Sequence, residues 1–273
     1  MTTAIKIASF NLKRDSRFAR SNLWDTRKEL IGKMIEESGA VVIGVQELLP
    51  SMEDDLRLML ADYSVFGFGR TKHLTNEESA ILIKGRDTDV KFNKTFWLSK
   101  HPEKYGSRAF LSMFPRVCTV CEVYIQSLHR RIRVFNTHFD HVSFVARALS
   151  AHIILEYMHK LNTIEKLPTI LMGDLNAKPN SKPIRILSEN LHNYDDIKLT
   201  SIYSTFEEGT VRNTYHGFKG KYKEKPIDYM FVSEEFDIEN AYIDTTDIDG
   251  RYPSDHFPLV AILRLKKNQS SSS

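Results

Sequence analysis

Residues 168–176 read Pro168-Thr169-Ile170-Leu171-Met172-Gly173-Asp174-Leu175-Asn176, an apolar run that stops at a glycine and passes into a carboxylate and an amide. A short apolar run bounded by turn formers reads as a buried strand. Period-two alternation puts Asp174 and Asn176 on one face while Leu175 turns inward. Gly173 permits a tight backbone just before them. An Asx turn accounts for such a pair structurally. The chemical reading is a carboxylate that takes a proton from water, beside an amide that donates to a phosphate oxygen.

The same pattern recurs outward along the chain. Strand-like runs occupy Ala4–Phe10, Ala40–Val45, Tyr63–Phe68, Ser79–Lys84, Val117–Ile125, Ile132–Thr137, Pro168–Gly173, Pro226–Val232, Ala241–Asp244 and Phe257–Leu263. Helical spacing appears between some of them. Trp24–Glu37 carries Leu30, Ile31, Met34 and Ile35. Ser143–Leu161 is the longest, and Met52–Leu60 and Ser181–Glu189 are shorter candidates. Many strands with few helices predict an α/β domain of two packed sheets with helices outside. The spacing is too uneven for eight βα repeats. No repeat or low-complexity linker divides the chain, so one domain over residues 1–265 is expected, followed by a frayed tail at 266–273.

Composition narrows the class. The chain has 273 residues and a formal net charge of +3, with 41% hydrophobic and 27% charged residues, which excludes a disordered chain. No apolar run approaches the roughly 18 residues of a membrane span. Met1–Phe10 shows no basic region followed by a long apolar stretch, so no secretory signal is expected. Two cysteines cannot make a disulfide framework, and a reducing cytoplasm is the simplest home. With 38 basic and 35 acidic side chains, global charge does not identify a nucleic-acid binder.

Polar groups collect where strands end, a usual place for function. Asn11 follows the first strand, and Gln46 and Glu47 follow the second. Alone these are turn and loop residues, but together they offer hard oxygen ligands of the kind magnesium prefers. Asn136, His138 and Asp140 share a face by period two. Asp228 opens an apolar strand and needs a partner there, and His256 is the natural one. A carboxylate that orients imidazole and favours its cation is a recurring catalytic pair.

The ordered series Ser9–Phe10–Asn11–Leu12, Val45–Gln46–Glu47, Asn136–Thr137–His138, Gly173–Asp174–Leu175–Asn176, Ile227–Asp228–Tyr229 and Ser254–Asp255–His256 resembles the endonuclease/exonuclease/phosphatase superfamily. These are the metal-dependent phosphoesterases related to pancreatic-type deoxyribonuclease. The resemblance runs from Ile5 to Leu265. It implies a four-layer α/β sandwich with two packed central β-sheets flanked by helices. It also implies a divalent metal, Mg2+ with Mn2+ as a substitute, held by Asn11 and Glu47, with Asp255 as a further metal or water ligand. Asp174 is then the residue that orients or deprotonates water, and Asn176 a phosphate ligand. His256, paired with Asp228, stabilises the transition state. His138 stands near the leaving group with Glu78 as its carboxylate partner, and Arg116 contacts phosphate. One position departs. Some abasic-site endonucleases carry an acid two residues after the Asn, where this chain has Lys13, followed by Arg14 and Asp15. That counts against a metal ligand there and against abasic-site repair. Thr95–Ser99, Gly106–Arg108 and Pro115–Thr119 resemble a bacterial subgroup with no general substrate assignment, and distantly the deadenylase-type branch.

The expected chemistry is one-step, in-line hydrolysis of a phosphate ester. A nuclease or phosphodiesterase acting on DNA or RNA leads; a phosphatase or phosphodiesterase of a small molecule or lipid head group is the alternative. A non-catalytic binding module is disfavoured because no recognised position is lost. Cys118-Thr119-Val120-Cys121 falls in a strand, so its thiols face opposite ways and no redox or zinc role is expected. Arg130, Arg131 and Arg133 read as a solvated hairpin. Lys219, Lys221, Lys223 and Lys225, interleaved with Tyr215, Phe218 and Tyr222, read as a cleft-rim loop able to bind a nucleic-acid backbone or a phosphorylated head group. No obligate protein partner is expected. No exposed apolar anchor is evident, so any membrane recruitment is expected only through a partner.

Overall fold

In chain order the elements are β1 (Ala4–Asn11), α1 (Trp24–Ser38), β2 (Val42–Leu48), α2 (Pro50–Met59), β3 (Tyr63–Phe66), β4 (Glu78–Lys84), β5 (Thr88–Trp97), β6 (Val117–Ile125), β7 (Arg130–His138), α3 (Phe144–Asn162), β8 (Thr169–Asp174), α4 (Lys182–Ser188), β9 (Leu199–Ser201), β10 (Asp228–Ser233), β11 (Phe236–Ile243) and β12 (Leu259–Leu265). The computed structural model describes residues 3–16, 22–207, 210–221 and 225–267. Tyr222, Lys223 and the end of the expected tail lie outside them.

Two six-stranded sheets form, in the orders β11-β12-β1-β2-β4-β3 and β5-β6-β7-β8-β10-β9. Each is centred on a parallel pair joined through a helix, β1–α1–β2 in one and β7–α3–β8 in the other. Parallel neighbours require such a crossover. The remaining pairings are antiparallel. Alternation along the strands sorts the core into three layers. Ile81, Ile83, Val134, Ile170, Met172 and Met230 meet between the sheets. Phe135, Leu171 and Phe231 face α3 and α4, while Ile43, Val45, Ala80 and Leu82 face α1 and α2. The result is the helix–sheet–sheet–helix sandwich expected from the sequence.

Two strands escaped the sequence reading. β5 alternates polar and apolar residues, and a bulge between Val90 and Phe92 sends the first toward the inter-sheet layer and the second toward the helix side, and β9 has three residues. The expected Ala241–Asp244 strand is the end of a longer one, β11. Cys118 lies in the helix-side core and Cys121 between the sheets, both free, with burial pushing both thiols up.

The inter-sheet layer turns polar toward one end. Asn136 donates to the carbonyls of Val45 and Ala80 at 2.9 and 2.7 Å, and its own oxygen accepts from Gln46 Nε2 at 2.6 Å. Gln46 also donates to Ser9 Oγ at 3.2 Å. This buried rung clamps the sheets together at the end where the polar strand termini gather. Gly44 is needed beneath it, because a Cβ there would lie 2.7 Å from Asn136 Oδ1. Gly173 has φ 144°, and a Cβ on it would sit 1.9 Å from the Thr137 carbonyl oxygen, so only glycine fits between β7 and β8 at the threshold of Asp174.

Candidate active site

Above the Asn136 rung, strands of both sheets end around one cleft of about 390 Å³. Asp174 stands at its floor, in register with His138 on β7 and Asp228 on β10. Its Oδ2 is the meeting point. Asn11 Nδ2 donates to it at 3.1 Å, His138 Nε2 lies 3.5 Å away, and His256 Nε2 lies 3.8 Å away. Its Oδ1 accepts the backbone N–H of Asn176 at 2.9 Å, an Asx-type turn that carries Asn176 at φ 46°. The turn expected from the sequence and the chemical placement therefore coexist.

His256 reaches the cleft from the loop before β12, and its Nδ1 donates to Asp228 Oδ2 at 2.9 Å. Burial opposes charge on this imidazole, but Asp228 outweighs it and raises His256 to about 10. Asp174 is raised to about 7, first by burial and then by Asp228. His138 is driven well below the usual imidazole range by burial and then by Arg116. Neutral His138 can accept at Nε2 the amide hydrogen of Asn176, 3.0 Å away, while Asn176 also donates to the Phe139 carbonyl at 3.1 Å.

Glu47 sits on a β-bulge of β2 at φ 59°, which turns its side chain into the cleft. Asn11 Nδ2 lies 3.3 Å from its Oε1, and the Arg14 backbone N–H donates to its Oε2 at 2.9 Å. One amide group thus bridges two carboxylates, those of Glu47 and Asp174. An all-oxygen set of Glu47, Asp174 and the Asn11 amide oxygen, reached by turning the amide over, fits a hard divalent cation. Asp255 is engaged differently: Lys13 Nζ lies 3.1 Å from its Oδ2. Asp174, Asp228 and His256 also bring ligand atoms within 4.8 Å of one another, but an imidazole charged by Asp228 has no lone pair for a metal.

Loop placement is fixed from behind. The buried Arg27 guanidinium on α1 donates to the carbonyls of Leu12, Lys13 and Pro253 at 2.8, 2.8 and 2.7 Å, and Ser254 Oγ donates to the Asn11 carbonyl at 2.6 Å. These bonds lock the exit of β1 to the loop that carries Asp255 and His256. Arg116 also lines the cleft, with Nη2 2.9 Å from His141 Nδ1 and a buried Nε 4.0 Å from Asp140 Oδ2, an ion pair without a hydrogen bond among the described residues.

The structure does not bring Glu78 to His138. Glu78 shares the phase of Ala80 and Leu82 on β4, so it faces α2, where its charged neighbours are Glu53 and Arg57. The cleft acid is its neighbour Glu77, held by both guanidinium nitrogens of Arg70 at 2.8 and 2.9 Å and by Arg14 at 3.0 Å. Arg70, Glu77 and Phe114 are cleft residues that the sequence reading missed, and Arg70 stands 4.8 Å over the Phe114 ring. Nothing in the pattern marks them, because all three sit in loops.

The two basic clusters separate. Arg133 is buried and spent on Glu122, Asn162 and the Glu165 carbonyl, and Arg131 pairs with Glu122 and Glu165, at the start of β7 and so at the end of the sheet away from His138. That corrects the solvated-hairpin expectation for Arg133. In the second cluster Tyr215 lines the cleft, its ring 5.1 Å from that of His256. Phe218 instead packs against Arg27, and Lys219 and Lys221 are exposed outside the cleft lining.

Residues 8–256 match the family model described as Endonuclease/Exonuclease/phosphatase family. No curated protein matches the chain by sequence. Among solved structures, an endonuclease/exonuclease/phosphatase family protein from Bacteroides thetaiotaomicron is 26% identical, covers 97% of this chain and 99% of its own, and superposes with a TM-score of 0.86. A mannosyl-6-phosphatase of the same organism is 26% identical over 95% of this chain and 99% of its own, with a TM-score of 0.85. The human Nocturnin catalytic domain with bound sulfate shares the fold at 17% identity, over 96% of this chain and 94% of its own, with a TM-score of 0.74.

Proposed function

The chain belongs to the endonuclease/exonuclease/phosphatase family, whose members are metal-dependent phosphoesterases, and from that premise we propose that it hydrolyses the phosphate ester of a small molecule or head group by in-line attack of water. The observation that carries the reaction is the Asp174–His256–Asp228 line, with His256 Nε2 3.8 Å from Asp174 Oδ2 and Nδ1 2.9 Å from Asp228. Asp174, poised near neutrality, accepts the proton of the attacking water. His256, held as its cation by Asp228, faces the phosphate oxygens where charge develops. Asn176 and Arg116 contact the same phosphate, Asn176 by turning its amide from the Phe139 carbonyl and Arg116 through the terminal end of its guanidinium, since its Nε faces Asp140. His138, neutral, stands beside Asn176 on the leaving-group side.

Glu47 and Asn11 would hold the divalent ion, Mg2+ or Mn2+, beside Asp174. When bound, that ion supplies positive charge to the phosphate and the leaving oxygen. Asp255 is assigned to Lys13 rather than to the ion, and that ammonium is a further positive charge at the cleft.

The small-substrate preference rests on the walls. Arg14, Glu77 and Arg70 form a continuous hydrogen-bonded bridge along the cleft, which runs on through the contact of Arg70 with the Phe114 ring to Arg116 and His141. The first basic cluster lies away from this cleft and is ion-paired. The likeness to a mannosyl-6-phosphatase points the same way. The test is a magnesium-dependent assay of a sugar phosphate, bis-nitrophenyl phosphate, and labelled single-stranded RNA and DNA, each with an EDTA control. EDTA-sensitive turnover of the small esters is expected. Cleavage of polynucleotide alone would reverse the substrate preference and return the nuclease. Absence of turnover on all of them would overturn the hydrolase reading.

A further inference from the structure

The loop Ala109–Phe114 carries apolar side chains into solvent. Phe110, Leu111 and Met113 are 70%, 62% and 52% exposed. Leu111 at the tip has φ 61°, a backbone that bulky residues rarely adopt. The loop is nonetheless firmly tied. Buried Ser112 donates to Asp140 Oδ2 at 2.7 Å, and the Met113 N–H reaches the same oxygen at 3.3 Å. Asp140 Oδ1 accepts the backbone N–H groups of Val142 and Ser143 at 2.9 and 2.7 Å. One carboxylate therefore clips this loop to the start of α3, where Val142 and Phe144 are 57% and 72% exposed. Five exposed apolar side chains thus lie on the two segments that Asp140 joins. The patch is continuous with the cleft through Phe114, whose ring lies 6.5 Å from that of His141.

The flank of this patch is basic. Lys104 and Arg108 are exposed on the segment leading into this loop, and Lys72 is exposed on the loop against which Gly106 packs, where a Cβ would lie 2.7 Å from the Lys72 backbone nitrogen. Glu103, the acid among them, is paired with Lys94. Arg108 also donates to the Met113 carbonyl at 3.2 Å, and none of the three cations forms an ion pair among the described residues. An ordered apolar tip beside such cations is the composition of a surface that enters a lipid interface, apolar side chains at the acyl boundary and cations at anionic head groups. A protein partner would account for the apolar tip but does not require the cationic rim. No helix among the described residues is long and apolar enough to cross a membrane, so contact would be made at the surface.

We propose that Phe110, Leu111, Met113, Val142 and Phe144 dock the protein on an anionic lipid bilayer and bring the cleft to a phosphate ester held at its surface. The substrate half of this inference rests on the phosphoesterase reading, whereas docking requires no catalysis. It replaces the expectation that the chain lacks an apolar anchor of its own.

The test is sedimentation of the full chain with vesicles of phosphatidylcholine and of phosphatidylcholine mixed with phosphatidylserine, at low and physiological salt. Wild type is expected to sediment with the anionic vesicles, and less so as salt rises. The paired variant Phe110→Ser/Leu111→Ser, and separately Phe144→Ser, should lower partition at least about tenfold. Magnesium-dependent turnover of bis-nitrophenyl phosphate should be unchanged in both, showing that they fold. Wild type remaining in the supernatant with anionic vesicles overturns the proposal, as does undiminished sedimentation of both variants. A vesicle-independent dimer of wild type that the same variants abolish would assign the patch to a second copy of the chain and also overturn it. Vesicle binding without turnover of any ester would leave docking standing and remove the phosphoesterase reading.

Discussion

The two parallel units β1–α1–β2 and β7–α3–β8 have the same backbone plan and end in different chemistry. The first ends in Asn11 and Glu47, an amide and a bulged carboxylate that fit a cation. The second ends in His138 and Asp174, a neutral imidazole and a carboxylate raised to about 7. Burial sets the contrast. Asp174 lies deep, facing Asp228, whereas Glu47 is turned by its bulge toward the cleft mouth and the Arg14 N–H. On the proposed reading one sheet holds charge and the other moves a proton. The sheets are joined at the site by His256, which precedes β12 of the first and hydrogen-bonds Asp228 on β10 of the second. A repeated topology with no sequence repeat can therefore divide one reaction between its halves.

Breaking the proton-moving half should have the largest effect. Asp174→Asn keeps the shape and removes the base, and kcat should fall by about 10³-fold or more with the melting temperature retained. Turnover in the wild-type range would remove Asp174 from the water-activating role. Breaking the link between the halves comes next. His256→Ala should lower kcat by about 10²–10³-fold, with circular dichroism unchanged.

The clamp beneath both halves is a matter of stability. Asn136→Ala strands the Val45 and Ala80 carbonyls and Gln46, and should cost about 2–4 kcal/mol in denaturant unfolding. A loss below about 0.5 kcal/mol would mean that the sheets do not depend on this rung.

The smallest effect tests the acid that does not belong to the site. Burial raises Glu78 to about 8 from an ordinary 4.5. Between those values the folded chain holds a proton that the unfolded chain has lost, so stability falls as pH rises from 4.5 to 8. Glu78→Gln keeps the neutral form at every pH. It should gain about 1–2 kcal/mol over wild type at pH 9 and little at pH 5, read from melting temperatures. Lost turnover in this variant at pH 7 would instead place Glu78 in the catalytic machinery.

The layer order was legible because the strands are compact apolar runs, as in Val117–Ile125, whose bounds coincide with β6, and α3 because it is long and largely apolar on more than one face. β5 was not, since at a sheet edge alternating Asp89, Lys91 and Asn93 satisfies solvent better than it signals a strand. Strand-end polar residues could be picked out along the chain, because each follows or opens an apolar run. Their phase was less secure. Glu77 and Glu78 are adjacent, and the bulge between Gln46 and Leu48 decides which strand partner Glu78 meets; no local pattern contains that shift. Arg70 and Phe114 come from loops whose shape is set by tertiary contacts such as Ser112 with Asp140, and periodicity carries no information there.

β12 pairs along β1, with Ala4 opposite Arg264 and Ser9 opposite Leu259. The strand carrying Asn11 is thus made well before its neighbour, which is preceded by His256. At roughly 5–20 residues per second, synthesis leaves β1 without that neighbour for roughly 10–50 s. Through that interval the nascent chain carries an open, apolar sheet edge and no complete cleft. A complete cleft therefore cannot precede the synthesis of His256 and β12, and the waiting edge is where a chaperone would have most to protect.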